Sequence, residues 1–342
     1  MARFRYVSPG LAGFAAVLTL AAGVVAGKAA FGGEASSSRP VTAGVSGAKI
    51  DVIVKATESE FWQSMLAGAK KAGADLGVDL HLTGPTSETD IEPQVRLVED
   101  SIARGSQAIV LAPNSSTALN DVIDRARQAG VKVIVVDNAV TTKSEGFIGT
   151  DNIKAGQQAG ERMCELMTKQ GKADGKILHE SAASGQQVLV DRFDGFKKGL
   201  AGKCPDATVK QTLVNDNDLN KAVSQVADAI SSDPGLAGVF ADNNTSGTGA
   251  ARAVGEKNAK DLAVVAFDSD PAEVSAVKQG TLDGILVQNP FFFGFQGVVE
   301  AAMAVRGTVP PVALDPGAVL IDSGNVEAPE LRSLLNPPKT TG

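Results

Sequence analysis

From Lys49 onward the chain alternates short, continuously apolar runs with longer stretches of helical period, and this alternation constrains the fold more than any other feature. KIDVIVK leads into residues 60–76, where Phe61, Met65, Ala69, Ala72 and Leu76 recur at spacings of three and four, one face of an amphipathic helix. VDLHLT, a helix around 94–104, QAIVLAP, a helix around 118–129 and VKVIVVD follow. QAIVLA and VKVIVV are apolar at successive positions, as parallel strands covered on both faces by helices must be. Right-handed crossovers between such strands build an open, doubly wound sheet.

After GFIGT and the pair Asp151-Asn152 the pattern restarts with a helix over 153–169, KILHES, a helix over 188–200, ATVKQTLV, a helix over 219–231, LAGVFAD, a helix over 246–256, DLAVVAFD, a short helix over 271–279 and GILVQ. The tail holds an apolar helical stretch from Phe293, a late strand within PPVALDPGAVLI and a short helix in NVEAPELRSLLN. A chain of 342 residues, 43% hydrophobic, is long for one ordinary domain, and two similar α/β halves are expected. Periodicity does not say beside which half the helix from Phe293 lies.

Charge is uneven. Residues 1–48 carry a net +3, from Arg3, Arg5, Lys28 and Arg39 against Glu34, within a chain of net −7. The basic start precedes an uncharged run, LAGFAAVLTLAAGVVAG, and then small residues, the pattern of a secretory signal peptide. An uncleaved N-terminal membrane anchor is the alternative. FGGEASSSRPVTAGVSG is a Gly/Ser-rich leader, so residues 1–48 read as signal and disordered leader, with folded sequence starting near Lys49. The acidic remainder carries no broad basic footprint for nucleic acid. Export to an oxidising compartment and an even cysteine count predict a disulfide between Cys164 and Cys204, two buried thiols being the alternative.

Ligands of open parallel sheets bind beyond the carboxyl ends of the strands, and here those ends are polar. VKVIVV ends in Asp137-Asn138, LAGVFA in Asp242-Asn243-Asn244, LAVVAF in Asp268-Ser269-Asp270 and GILV in Gln288-Asn289; the first strand leads through Lys55 to Thr57-Glu58-Ser59-Glu60 and then Phe61-Trp62. Carboxylates and amides bind hydroxyls in pairs, and aromatic rings offer flat faces to the C–H surface of a sugar. Helix capping is the competing use for each Asp or Asn, weighed equally at any one position. Trp62, about 100° round the helix from Phe61, is expected exposed and free to stack on a ligand. Lys55 and Glu58 are candidate rim residues, and Arg192 opens a helix.

Catalytic and metal-binding patterns are thin. His81 and His179 lie at strand positions without metal-ligand spacing, and no G-x-S-x-G, H-E-x-x-H or Walker A motif occurs. Gly247-Thr248-Gly249 has Arg252 where a dinucleotide fingerprint needs a small residue. No catalytic residue, metal or cofactor is expected.

Taken in order, IVKATESEFW…GAKKAGADLG, IVLAPNSSTAL, VKVIVVDN, GTDN, VFADNN, VVAFDSD and GILVQNP make the region from Lys49 to Asn336 resemble the ribose-binding-protein-like periplasmic sugar-binding proteins of ABC importers. The resemblance implies the type I periplasmic binding protein fold: two doubly wound, Rossmann-like lobes joined by a three-segment hinge. The chain would cross near Gly149–Asp151, at Gln288–Asn289 and around Pro316–Val319. The N-terminal lobe would then comprise 49–149 and 289–317, and the C-terminal lobe with its tail 150–288 and 318–342. It further implies that Phe61 and Trp62 flank a sugar ring and that Asp137, Arg192, Asn243, Asp268 and Gln288 bind its hydroxyls. Ser59 stands where the ribose-binding pattern has Asn, Asn138 where it has Arg, and Asn217 where it has a third aromatic; these departures leave the sugar open and complete the candidate ligand set. The expected partners are a sugar or sugar-like polyol and an inner-membrane ABC permease, served by a periplasmic monomer. A secreted α/β carbohydrate enzyme, using Asp137 and Asp268 as an acid/base pair, is the alternative from another class.

Overall fold

In the computed structural model, residues 44–338 are described; the expected signal peptide and most of the expected leader lie outside them. The first lobe is built from β1 (Lys49–Ile53), α1 (Glu60–Leu76), β2 (Asp79–Thr83), α2 (Ile91–Ala103), β3 (Ala108–Leu111), α3 (Asn120–Gln128), β4 (Lys132–Val136) and β5 (Gly146–Ile148). Its five strands run in the order β2-β1-β3-β4-β5, all parallel. Ile50, Val52, Val110, Ile134 and Val136 are buried on one face of this sheet, against α1, while Ile53, Ile109, Leu111, Val133 and Val135 are buried on the other with residues of α2 and α3. Two buried faces explain the unbroken apolar runs.

The second lobe follows with α4 (Asn152–Lys169), β6 (Lys176–Ser181), α5 (Gln187–Lys203), β7 (Thr208–Val214), α6 (Leu219–Ser232), β8 (Leu236–Ala241), α7 (Asn244–Lys257), β9 (Ala263–Phe267), α8 (Pro271–Gln279) and β10 (Gly284–Val287). After α9 (Pro290–Val305) come β11 (Val319–Ile321), a 3-10 turn (Pro329–Leu331) and α10 (Arg332–Leu335). The six-stranded sheet has the order β11-β10-β9-β8-β6-β7, parallel except for β11, which pairs antiparallel with β10.

Tertiary packing assigns α9 to the first lobe. It lies on α1 at such close range that a Cβ at Gly294 would stand 1.8 Å from the Met65 carbonyl oxygen, and one at Gly68 2.0 Å from that of Phe291. The chain therefore passes between the two sheets at 149–151, at 288–289 and again after Leu314, which bridges to Ile148 before the chain reaches β11. The second lobe has a matching pair: α4 and α5 cross over Gly156, Gly160, Gly195 and Gly199. Cys164 on α4 and Cys204 at the end of α5 are disulfide-bonded across the same seam, with Cα atoms 5.7 Å apart.

One boundary needs correcting. Val45 and Ala48 are buried, the Gly47 N–H donates to the Gly77 carbonyl at 2.7 Å and the Asp79 N–H to that of Ala48 at 2.9 Å, so packed structure begins before Lys49. A segment this short has no periodicity to announce it.

Candidate functional site

Each sheet changes winding direction once, beside β1 and β3 in the first lobe and beside β6 and β8 in the second, and such switch points open a crevice at the strand ends. The two crevices face each other across a cavity. Lys55, Phe61, Trp62, Glu88 and Asp137 line it from the first lobe; Ala182, Gln186, Val188, Leu189, Arg192, Asn243, Asn244 and Asp268 line it from the second, and Gln288 from a crossing segment.

Asp137 and Asp268 occupy equivalent places, after β4 and β9, and both have positive φ, 62° and 80°. The Asp137 N–H donates to the Ile148 carbonyl on β5 at 2.8 Å and the Asp268 N–H to that of Leu286 on β10 at 2.9 Å. Non-glycine residues in this region are uncommon, Asp among the tolerated ones, and such strain concentrates at ligand sites. The Lys55 ammonium pairs with the Asp137 carboxylate at 2.6 Å, both buried. Gln288 Nε2 donates to Asp268 Oδ1 at 2.8 Å, and Gln288 Oε1 is buried with no hydrogen-bond partner among the described residues. Arg192 donates from Nε to Asn152 Oδ1 at 2.8 Å and from Nη1 to the Asp242 carbonyl at 2.7 Å, with its guanidinium 4.3 Å over the Phe267 ring.

Burial pushes the Asp268 carboxyl up, against the opposing pull of the Arg192 guanidinium and the Gln288 hydrogen bond. Burial also raises Glu88, offset by Lys55 and by the Trp62 indole, whose Nε1 donates to Glu88 Oε1 at 2.8 Å. Glu88 and Gln186 were not legible as site residues, and Asn244 stood among the polar strand ends without entering the candidate ligand set. Glu88 lies in the loop after the edge strand β2, and Gln186 and Asn244 flank helix starts, where capping is the ordinary use of such side chains.

Trp62 corrects an expectation. It is 2% exposed rather than free, because the cleft wall and Glu88 cover it, while Phe61 is the less buried of the two rings; both line the cavity, edge to face at 4.8 Å. Ser59, Glu58, Asn138 and Asn217 are not brought to the cavity wall. Glu58 is exposed, and Ser59 precedes α1 without a side-chain capping bond. Asn217 accepts from Asn243 Nδ2 at 2.9 Å and so orients a lining residue. Asn138 is fully buried between the loop after β3 and the start of α5. Capping accounts for Asp270 and Asn289, whereas Asn243 both caps α7 and faces the cavity.

His179 is packed between Phe193 and Phe240 and bonds Asp242 at 3.1 Å, away from the cavity, and His81 is exposed on the edge strand β2. A Cβ at Gly247 would stand 2.2 Å from Glu273 Oε1 and one at Gly249 2.5 Å from the Ala222 side chain, so packing explains this glycine pair. Among the described residues no group of three or more His, Cys, Asp or Glu could hold a metal ion, and no helix is long and apolar enough to cross a membrane.

Residues 50–308 match the family described as periplasmic binding protein domain. The chain belongs to that family. Within it, the chain is 26% identical over 259 residues to the ribose import binding protein RbsB of Salmonella typhimurium, covering 75% of this chain and 85% of the relative. It is 26% identical over 295 residues to the D-allose-binding periplasmic protein of Escherichia coli, covering 82% and 93%. Among solved structures, a carbohydrate transporter solute-binding protein from Agrobacterium radiobacter in complex with D-arabinose superposes with a TM-score of 0.82 at 31% identity, covering 85% of this chain and 99% of the other. An ABC transporter solute-binding protein from Agrobacterium vitis with bound α-D-tagatopyranose gives 0.79 at 29% identity, covering 84% and 98%. These relatives are binding proteins, and they lend no support to the carbohydrate-enzyme alternative.

Proposed function

We propose that this protein captures a sugar or sugar-like polyol between its two lobes and delivers it to an ABC permease. The observation that carries this reading is the inter-lobe cavity, where carboxyl, amide, ammonium and guanidinium groups converge beside an aromatic pair. Sugar hydroxyls both donate and accept, so Asp137, Asp268 and Glu88 suit their donors, and Lys55, Arg192 and Asn243 their acceptors. Phe61 and Trp62 supply the flat faces for a sugar ring, and the unpartnered Gln288 Oε1 adds an acceptor. The N-terminal lobe comprises 49–149 and 289–317, extended back to residue 44, and the C-terminal lobe 150–288 and 318–338. The basic start and apolar run support export to the periplasm by a cleaved signal peptide, and action there as a monomer is part of the same proposal.

Thermal unfolding with D-ribose, D-allose, D-arabinose, D-tagatose, cyclitols and sugar acids tests the reading. A sugar at one hundred times its Kd stabilises by about 2.7 kcal/mol. No stabilisation by any of these compounds would overturn the ligand class, and chemical turnover of any would restore the enzyme alternative. Export is tested by intact mass of the native protein, which is expected to lack Met1 and the apolar run.

A further inference from the structure

Asn138 is fully buried yet forms no part of the cavity wall, and its side-chain amide is divided between the lobes. Nδ2 donates to the Pro113 carbonyl at 3.1 Å, in the first-lobe loop after β3. Oδ1 accepts from the backbone N–H of Val188 at 3.3 Å, in the first turn of α5 in the second lobe, with the Ser116 hydroxyl 3.5 Å from the same oxygen. First-turn N–H groups have no acceptor within their own helix. Gln186, which precedes α5, makes no side-chain cap, and its Oε1 instead lies 3.4 Å from the Lys55 ammonium across the cleft.

We infer that Asn138 is a positioning residue that caps α5 from the opposite lobe and thereby latches the cleft shut. The inference rests on the proposed capture of a sugar between the two lobes. The turn that sets it up is local: the Asn138 N–H donates to the Val136 carbonyl at 2.7 Å around the positive φ of Asp137, so one residue serves the cavity and the next serves the seam. The first lobe fixes the amide through the Pro113 carbonyl and the Ser116 hydroxyl, and the second acceptor position of Oδ1 serves the other lobe. Because α5 also carries Val188, Leu189 and Arg192 of the cavity wall, seating its first turn sets the position of the Arg192 guanidinium.

Hydrogen exchange of the Val188 amide and stopped-flow dissociation of D-arabinose, D-ribose and D-allose test the latch in the mature protein, in Asn138→Ala and in Asn138→Asp. In the wild type, each sugar that stabilises the protein is expected to slow exchange at Val188. In Asn138→Ala that protection is lost and every such sugar dissociates roughly five- to tenfold faster, by a common factor, because the latch does not read hydroxyl patterns. Asn138→Asp retains an acceptor at the helix N-terminus and is expected to keep most of the protection. Loss factors that differ from sugar to sugar would make Asn138 a ligand contact and overturn the inference, as would unchanged Val188 exchange in Asn138→Ala or no sugar-induced protection in the wild type. If none of these sugars stabilises the wild type, the sugar reading fails for them separately. Exchange at Val188 in the sugar-free proteins then decides the latch: faster exchange in Asn138→Ala supports it, and equal exchange overturns it.

Discussion

At the scale of single residues, the cavity is set by a few buried polar groups whose cost is met only when each has a partner. Asp137 has Lys55 and Asp268 has Gln288 within the protein. A bound polyol would supply their remaining partners. Asp137→Ala and Asp268→Ala are therefore expected to weaken sugar binding by on the order of 1–3 kcal/mol each in calorimetric titration. Trp62→Ala is expected to cost less at the ligand and more in stability, since the ring is a buried member of the first-lobe core and its indole N–H satisfies Glu88. Full retention of affinity in all three variants would remove the site assignment.

At the scale of elements, the seam between α4 and α5 is the tightest helix contact of the second lobe. A Cβ at Gly199 would stand 2.0 Å from the Gln157 carbonyl, which backbone movement alone could relieve. Gly199→Ala is expected to destabilise by about 1–3 kcal/mol in urea unfolding. Replacing Cys164 and Cys204 together by Ser opens a loop of 40 residues across the same seam, at a cost of up to about 4 kcal/mol in the chain-entropy view. On α9 the relevant group is Glu300, fully buried and raised to about 7 by desolvation, with Gln296 as its one hydrogen-bond donor among the described residues. Its folded pKa exceeds the ordinary 4.5, so the native state binds more protons and stability falls as pH rises from about 4.5 to about 7. Glu300→Gln is expected to remove this fall, on the order of 3 kcal/mol at most, which urea unfolding at pH 5 and pH 8 would reveal. An unchanged pH slope would show that Glu300 is ionised without penalty.

At the scale of the whole molecule, three crossings join two lobes whose facing walls are both needed to enclose the cavity. The Asp151 N–H and the Gly317 N–H both donate to Asp315 Oδ1, at 3.2 and 2.7 Å, tying two of the crossings together. A ligand that touches both lobes binds the closed arrangement more tightly than an open one, and so shifts the population toward it. Small-angle scattering is expected to give a smaller radius of gyration with saturating sugar than without. An identical profile, with binding established independently, would point to one rigid pocket.

The repeating strand and helix pattern was legible in the sequence because it is local. Burial on both faces makes a strand such as VKVIVV apolar at every position, and one buried face makes a helix such as 60–76 periodic. The polar strand ends were legible too: Asp137, Asn243, Asp268 and Gln288 all reach the cavity. What only the tertiary structure decided concerns contacts between segments distant in sequence. Trp62 is buried in the first-lobe core with its indole N–H on Glu88, 26 residues later; α9 joins the first lobe after the parallel strands of the second sheet have been laid down; Asn138 meets Val188, 50 residues later, across a seam between lobes. Periodicity reports which face of an element is covered, whereas the way two lobes face one another depends on the hinge path and on side chains from both, which no local pattern encodes.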